Sequence, residues 1–560
     1  MNFKKNLVPI FAILIIIIAI ITRIDFLQNA LWYDEACSWV ISNKKSWLEI
    51  IKHLLNIDLQ HSPIYFLFLN IWMKIFGDSP IALRSLSLII SILTIPMIYM
   101  VSKEFLPKKE SLLITSLISS LPPIIIFSME IRMYPMAIFL VLLSLYNLIK
   151  FEKTNQSKNL IYLTLINLLL IYTYTGAILY TLTLMICYSI YKLKDNFKAF
   201  KQYIFYAISE LIMSIPFFCL IFHYAMIRKD LIIKYEMPLE LQLIFITIKN
   251  LFGTNPSRNM YWPAEGIELW TPEFLFLNLI PCLYVIFGMY CCIKKGEKFQ
   301  KVLQLVTILI FIEFVILSIL QINVCTQRYV IHILAPAMIL SLFGLSKYLS
   351  KIHFKIFVII YTIAALIGTI IFHENTIELK NNALKSVRIQ ANNLKLDKRD
   401  IIITTQGPDA PYYFRDENAP RLFDFNIYKQ IGNHKNNNYY EKNQQKKMLT
   451  DEKYKLLYDA IKLNKCFSKT HEKYFIENVN QKVEKDRFVL MAFFSIDSNS
   501  IKHPNELINS VKSIEHIKKN HYKFIIEKYN ADIISFLEQD FDFQKRFERN
   551  SYTYILFKKR

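Results

Sequence analysis

Apolar runs long enough to cross a bilayer recur through the first two thirds of this 560-residue chain, and lysines gather in every second gap between them. That alternation constrains the fold more than any single motif. A membrane helix needs about 20 predominantly apolar residues, and Lys and Arg accumulate in the loops on the cytoplasmic side. The runs are Leu7–Ile21, Ile81–Val101, Ser111–Phe127, Met133–Lys150, Asn159–Thr173, Gly176–Tyr191, Tyr203–Phe222, Pro272–Ile293, Val302–Gln321, Tyr329–Leu345 and Phe354–Phe372. They predict an α-helical polytopic membrane protein with about eleven transmembrane helices. Leu7–Ile21 follows Lys4 and Lys5 like a signal peptide, but no small-residue cleavage site comes after it, so it reads as a retained first helix.

Orientation follows from the lysines. Lys103, Lys108 and Lys109 share one gap, Lys153 and Lys158 the next, and Lys192, Lys194, Lys198 and Lys201 the third. Lys294, Lys295, Lys298 and Lys301 follow, then Lys347, Lys351 and Lys355. All lie on the side of Lys4 and Lys5, the cytoplasmic side, provided that Pro63–Phe76 does not cross. Its roughly 14 residues make about 21 Å of helix against a core of about 30 Å, so length and charge agree on a juxtamembrane or re-entrant helix.

A chain with 54% hydrophobic residues and only 10 glycines belongs to the membrane class. Its net charge of +21 resides largely in those loop lysines, which report orientation, so no nucleic-acid partner is expected. The 8 cysteines show neither a CxxC pair nor Cys/His metal spacing; they imply membrane packing and no disulfide framework.

The opposite, extracytoplasmic face collects a specific set of polar residues. It holds Asp34 and Glu35 in Leu31-Trp32-Tyr33-Asp34-Glu35-Ala36, Asp58 and His61, and Glu130, Arg132 and Tyr134 in Met129-Glu130-Ile131-Arg132-Met133-Tyr134-Pro135. Tyr172 and Tyr174, a long loop from His223 to Trp270 with Arg228 and Arg258, and Gln327-Arg328-Tyr329 complete it. Charges at a membrane edge are costly and mark function by default, although a single arginine there is often a snorkelling helix end and His61 alone a helix cap. The informative fact is convergence on one face. Arginines suit a phosphate, whose oxygens match the planar fork, and a carboxylate within reach of a hydroxyl can take its proton. The chemistry implied is group transfer from a membrane lipid carrying a phosphate.

From Glu374 the composition turns to Asn, Lys, Asp and Glu, with apolar runs at Asp400–Thr404, Arg487–Phe494 and Thr553–Lys558, a helical pattern near Glu506–Lys519 and a polar loop at Asn433–Lys447. This predicts two domains: residues 1–373 in the membrane and 374–560 as a soluble α/β domain, outside because the span count is odd. That domain has Cys466 and no nucleotide fingerprint.

Asp34-Glu35 after the first span, His61-Ser62-Pro63-Ile64-Tyr65, Phe76-Gly77, Leu83-Arg84-Ser85, Glu130-Ile131-Arg132-Met133-Tyr134 and Arg328-Tyr329 followed by Pro336 form an ordered series. In it the first 350 or so residues resemble the GT-C fold glycosyltransferases, in the branch of the dolichyl-phosphate-mannose–protein mannosyltransferases and aminoarabinose transferases. The resemblance implies a polyprenyl-phosphate sugar donor, a glycan, lipid or protein acceptor, inversion at the anomeric carbon and an outward active site. It makes Asp34 the candidate base with Glu35 as its acidic neighbour. Arg132 and Arg328 become candidate phosphate contacts, with His61, Glu130, Tyr134 and Tyr329 lining the substrate site. Ser62-Pro63 stands where many relatives have two prolines, and Tyr172-Thr173-Tyr174 where some have a histidine. The aminoarabinose branch has an acidic metal ligand near the position of His61, so a divalent metal is left open and no other cofactor is implied. A lipid-linked glycan ligase or polymerase is the nearest alternative. A transporter or a non-enzymatic assembly protein is the more distant one, and the discontinuous helices and repeat symmetry of transporters are not evident here.

Overall fold

The computed structural model describes residues 3–24, 27, 31, 33–57, 61–227, 241–255, 275–319, 327–381, 385–404, 412, 415, 418–424, 476–494, 533–549 and 552–560. Their contacts form two units, Met1–Asn29 with Ile41–Glu378, and Ala30–Val40 with Leu379–Arg560. The polar loop at 433–447, the helical pattern at 506–519, Cys466, Trp32, Asp58, Arg228 and Arg258 lie outside the described residues.

The first unit is helical. Its elements are α1 (Phe3–Ile24), α3 (Trp47–Ile57), α4 (Ile64–Phe76), α5 (Pro80–Ser102), α6 (Lys108–Ser120), α7 (Pro122–Ser128), α8 (Tyr134–Thr154), α9 (Ser157–Ile171), α10 (Ala177–Asp195), α11 (Phe197–Ile227) and α12 (Leu241–Phe252). They continue as α13 (Ile280–Lys295), α14 (Lys298–Leu317), α15 (Gln327–Ser346, with a 3-10 turn at Ile331–Ile333) and α16 (Lys351–Asn381). Among the described residues 7 helices are long and apolar enough to cross a membrane, drawn from α5, α8, α11, α13, α14, α15 and α16. Pro9–Ile24 and Ser157–Ile171 are shorter apolar helices, and α10 ends in Lys192, Lys194 and Asp195.

The expected span Ser111–Phe127 is not one straight helix. It breaks into α6 and α7, bent by 59°. Leu121 precedes Pro122 and is forced to extended backbone (φ −60, ψ 132), while Pro122 and Pro123 offer no N–H to continue the ladder. Helix α4 has 13 residues, about 20 Å, and stays too short to span. Gly77 stops it at φ 81, in the left-handed region where a side chain would be strained, and its N–H reaches the Met73 carbonyl at 2.8 Å.

Two of the spanning helices lie largely inside this unit. Gln327–Ser346 is 89% buried and Tyr134–Thr154 is 78% buried, against 28% for Phe197–Cys219, so the candidate residues at the starts of α8 and α15 belong to the inner helices. Packing of α13 on α15 is set by small residues: a Cβ at Gly344 would collide with the Gly288 carbonyl.

The second unit holds a five-stranded mixed sheet in the order β2-β1-β3-β5-β4. Its strands are β1 (Ile401–Thr404), β2 (Arg421–Asp424), β3 (Phe488–Phe494), β4 (Phe541–Arg549) and β5 (Tyr552–Lys559). β1 runs parallel to β2 and β3, and β5 antiparallel to β3 and β4. Alternate residues face opposite layers, as a strand period of two requires. Ile401, Ile403, Val489, Met491, Ile555 and Phe557 join Ile533 and Leu537 on one face. Ile402, Leu490, Tyr554 and Leu556 meet Val387 and Ala391 of α17 (Lys385–Asn393) on the other. The edge strand β4 escapes the apolar-run reading because a bulge between Phe543 and Lys545 switches its faces, with Phe541 in the first layer and Phe547 against the second.

The short helix α2 (Tyr33–Ser42) begins in the segment Ala30–Val40, which groups with this second unit. Trp39 is the tie: its ring meets Tyr412 edge to face, with centroids 5.3 Å apart. Arg415 in turn lies over the Tyr412 ring at 4.1 Å and donates to the Tyr412 carbonyl at 2.6 Å.

Candidate functional site

In the first unit the predicted residues converge where α4 begins, α7 passes into α8, α9 passes into α10, and α15 begins. Residues 129–133 form a buried irregular link, with Glu130 at 0% and Arg132 at 5% exposure, so Arg132 does not snorkel. The link is tightened by the Arg132 N–H to Glu130 carbonyl bond at 2.7 Å, and Pro135 starts α8 directly after it. Ser87 of α5 donates to the Arg132 carbonyl at 3.4 Å and is bonded to the Tyr65 hydroxyl at 3.0 Å.

His61 sits at a pinned corner. Ser62 donates its hydroxyl to the Ile171 carbonyl at 3.0 Å and lies 3.2 Å from the Thr175 hydroxyl, while the Ile64 N–H reaches the Tyr172 carbonyl at 2.9 Å. A proline at position 62 would have no hydroxyl to make either side-chain bond. On this corner Arg132 Nη2 and His61 Nε2 are 2.8 Å apart. A guanidinium only donates, so Nε2 accepts and the imidazole proton of this arrangement sits on Nδ1.

Tyr174 joins the two arginines. Arg132 lies 6.0 Å over the Tyr134 ring, and Tyr134 meets Tyr174 edge to face at 6.2 Å. Arg328 lies 4.9 Å over the Tyr329 ring, and the Tyr174 hydroxyl donates to the Tyr329 carbonyl at 2.7 Å. Both guanidinium groups are within electrostatic range of the Tyr174 hydroxyl. The structure thus brings together His61, Glu130, Arg132, Tyr134, Arg328 and Tyr329 through Tyr174. Tyr172 turns elsewhere, its hydroxyl on the Met213 carbonyl at 3.2 Å.

His332 belongs here too and was missed by the sequence reading. It is fully buried, with its ring 5.3 Å from Tyr174 and 6.0 Å from Phe314. A histidine inside the apolar run Val330–Leu334, one turn after Arg328, was the available signal.

Asp34 and Glu35 are in the other unit. Both stand in the first turn of α2, where the helix dipole favours negative charge. Neighbouring positions on a helix point about 100° apart, and here that separates a half-buried Asp34 from Glu35 at 0% exposure. Ser38 donates to the Asp34 carbonyl at 3.0 Å.

Among the described residues no group of three His, Cys, Asp or Glu side chains is placed to hold a metal ion. His61 Nε2 faces a guanidinium.

Residues 60–219 match the family described as Dolichyl-phosphate-mannose-protein mannosyltransferase. No curated protein matches the chain. Among solved structures, ArnT from Cupriavidus metallidurans bound to undecaprenyl phosphate is similar with a TM-score of 0.53 and 9% identity over 98% of both chains. Its apo form gives 0.54 and 9% over 98% of this chain and 97% of that one. The oligosaccharyltransferase AglB from Archaeoglobus fulgidus, in complex with an inhibitory peptide and a dolichol-phosphate, gives 0.46 and 10% over 99% of this chain and 74% of that one.

Proposed function

We propose that this chain, which has the GT-C fold and is of the protein mannosyltransferase and ArnT-like type, is a membrane glycosyltransferase. It moves a sugar from a polyprenyl-phosphate donor to an acceptor hydroxyl on the extracytoplasmic face. The observation that carries this reading is that Arg132 and Arg328, two buried or half-buried cations from sequence-distant segments, are linked to one tyrosine, Tyr174, through Tyr134 and Tyr329. Undecaprenyl phosphate is the ligand of the similar ArnT structure, and a lipid phosphate here would receive both guanidinium groups.

In the proposed reaction the acceptor oxygen attacks the anomeric carbon from the side opposite the phosphate, so the configuration inverts. Asp34 takes the hydroxyl proton as the new carbon–oxygen bond forms. The bond from the anomeric carbon to the phosphate oxygen breaks, its electron pair stays on that oxygen, and polyprenyl phosphate leaves with one more negative charge. Arg132 and Arg328 stabilise that growing charge, which helps the transition state more than the bound donor. His61 accepts from Arg132 and holds its fork in place. Glu35, buried beside Asp34, orients the base.

The test uses the full-length protein in proteoliposomes. Undecaprenyl-phosphate hexoses and pentoses labelled in the sugar are supplied with a cell-envelope fraction as the acceptor source. Transfer of label from lipid to acceptor by wild type and not by Asp34→Asn supports the reading. Equal transfer by both removes Asp34 as base, and passage of label across the vesicle without transfer makes the chain a transporter.

A further inference from the structure

At the other end of the same helical unit, where α8, α10, α13 and α15 finish and α14 begins, lies a cavity of about 660 Å³. Its apolar wall includes Phe105, Ile149, Phe299 and Phe343, and its polar rim carries Glu104, Glu152, Glu297, Lys153, Lys295, Lys298 and Lys347. The carboxylates there are committed. Glu104 takes Lys150 at 2.9 Å and Lys153 at 2.8 Å. Glu152 takes Lys192 at 2.9 Å with the hydroxyls of Tyr188 and Tyr191 at 2.6 and 2.9 Å. Glu297 caps α14 in a capping box with Gln300.

The lysines of α13, α14 and α15 are not committed. Lys295 lies 4.2 Å over the Tyr348 ring and Lys347 5.2 Å over the Phe343 ring, contacts that leave the charge whole. Among the described residues Lys295, Lys298 and Lys347 have no carboxylate within ion-pair distance. Exposed ammonium groups around a mainly polar cavity at the membrane edge, with Phe105 and Phe299 on its wall, match the phosphate of an anionic phospholipid headgroup. We infer that this cavity binds an anionic lipid headgroup through the phosphate, held by Lys295, Lys298 and Lys347. The site is separate from the proposed transfer chemistry and rests on the orientation that the lysine alternation gives, which puts it in the cytoplasmic leaflet.

The experiment measures binding of fluorescent short-chain phosphatidylglycerol to the full-length protein in zwitterionic detergent micelles. Wild type is expected to bind saturably. The triple variant Lys295→Gln, Lys298→Gln, Lys347→Gln is expected to weaken binding by about tenfold or more. Lysines at the same end but off the cavity, replaced together as Lys108→Gln, Lys109→Gln and Lys158→Gln, should leave binding near wild type. The corresponding triple arginine variant should restore it, and Lys298→Gln alone gives a partial loss that can be read in a protein barely altered. Equal weakening in the two glutamine triples would reduce the effect to general surface charge and overturn the site. Wild-type binding in the cavity triple would do the same. Displacement of the lipid by millimolar inorganic phosphate would instead make the occupant a soluble phosphate.

Discussion

At one end of the helical unit Arg132 donates to a histidine and shares Tyr174 with Arg328, while at the other Lys150 and Lys153 converge on Glu104 and Lys192 on Glu152. Both ends place cations near the membrane. At the lysine end the largely buried carboxylates Glu104 and Glu152 are paired with cations inside the protein, which makes them structural. At the arginine end the cations lie over aromatic rings, and Arg132 also faces the His61 imidazole. The contrast lies in what each cation meets: carboxylates at the lysine end, aromatic rings and an imidazole at the arginine end.

The sharpest way to break this comparison is to disable the proposed transfer while leaving both ends folded. Asp34→Asn keeps the shape of the side chain but cannot take a proton, so transfer should fall by about 10²–10⁴-fold. Donor binding should change little, and single-turnover rates beside equilibrium lipid binding separate the two. Full turnover in this variant would mean that α2 contributes no base.

Arg132→Lys and Arg328→Lys come next. Lysine supplies charge without a fork, so each should lower turnover by roughly 10–10³-fold while weakening donor binding less. Normal turnover in both would strip the arginine end of its assigned role and move the phosphate site elsewhere.

A smaller effect sharpens the role of His61. His61→Gln can still accept from Arg132, whereas His61→Phe cannot, so the phenylalanine variant should lose about tenfold in turnover and the glutamine variant much less. Equal losses would show that imidazole chemistry, not acceptance from Arg132, matters at this corner.

The smallest effect belongs to the lysine end and appears in stability alone. Burial opposes ionisation of Glu104, but hydrogen bonds from Lys153 and Lys150 prevail and hold its carboxyl below the usual range. A depressed carboxylate contributes stability that is full above its unfolded value of about 4.3 and is lost as pH falls through the lower folded value. Glu104→Gln should therefore lower the thermal midpoint at neutral pH by an amount worth about 1 kcal/mol and flatten its fall below pH 4, with transfer unchanged. A loss of turnover in Glu104→Gln would couple the two ends and blur the contrast.

Much of this was legible in the chain. Apolar run length and lysine spacing depend only on local composition and the bilayer, so they gave the polytopic helical class, the short α4 and the residues of the arginine end. Short apolar runs likewise located β1, β3 and β5. What resisted reading depends on neighbours in space. The 59° break at Leu121-Pro122 looked like one continuous apolar span, because hydropathy does not register a missing N–H. His332 went unread inside an apolar run, and only its neighbours Tyr174 and Phe314 place it at the arginine end. Strand β4 hid behind its bulge.

By itself, then, the sequence determined which segments suit the membrane, which end of each helix carries lysine, and which positions at the opposite ends carry carboxylates and arginines, since those properties reside in single residues and their spacing. Tertiary structure alone decided the partners: that Ser62 pins the His61 corner to α9, that Arg132 meets His61, and that both arginines border Tyr174. It also decided that the acidic helix groups through Trp39 and Tyr412 with the sheet unit, although the chain places it beside the first membrane helix. Such pairings join residues up to hundreds of positions apart, and a contact's strength depends on distances of a few ångströms that no local spacing encodes.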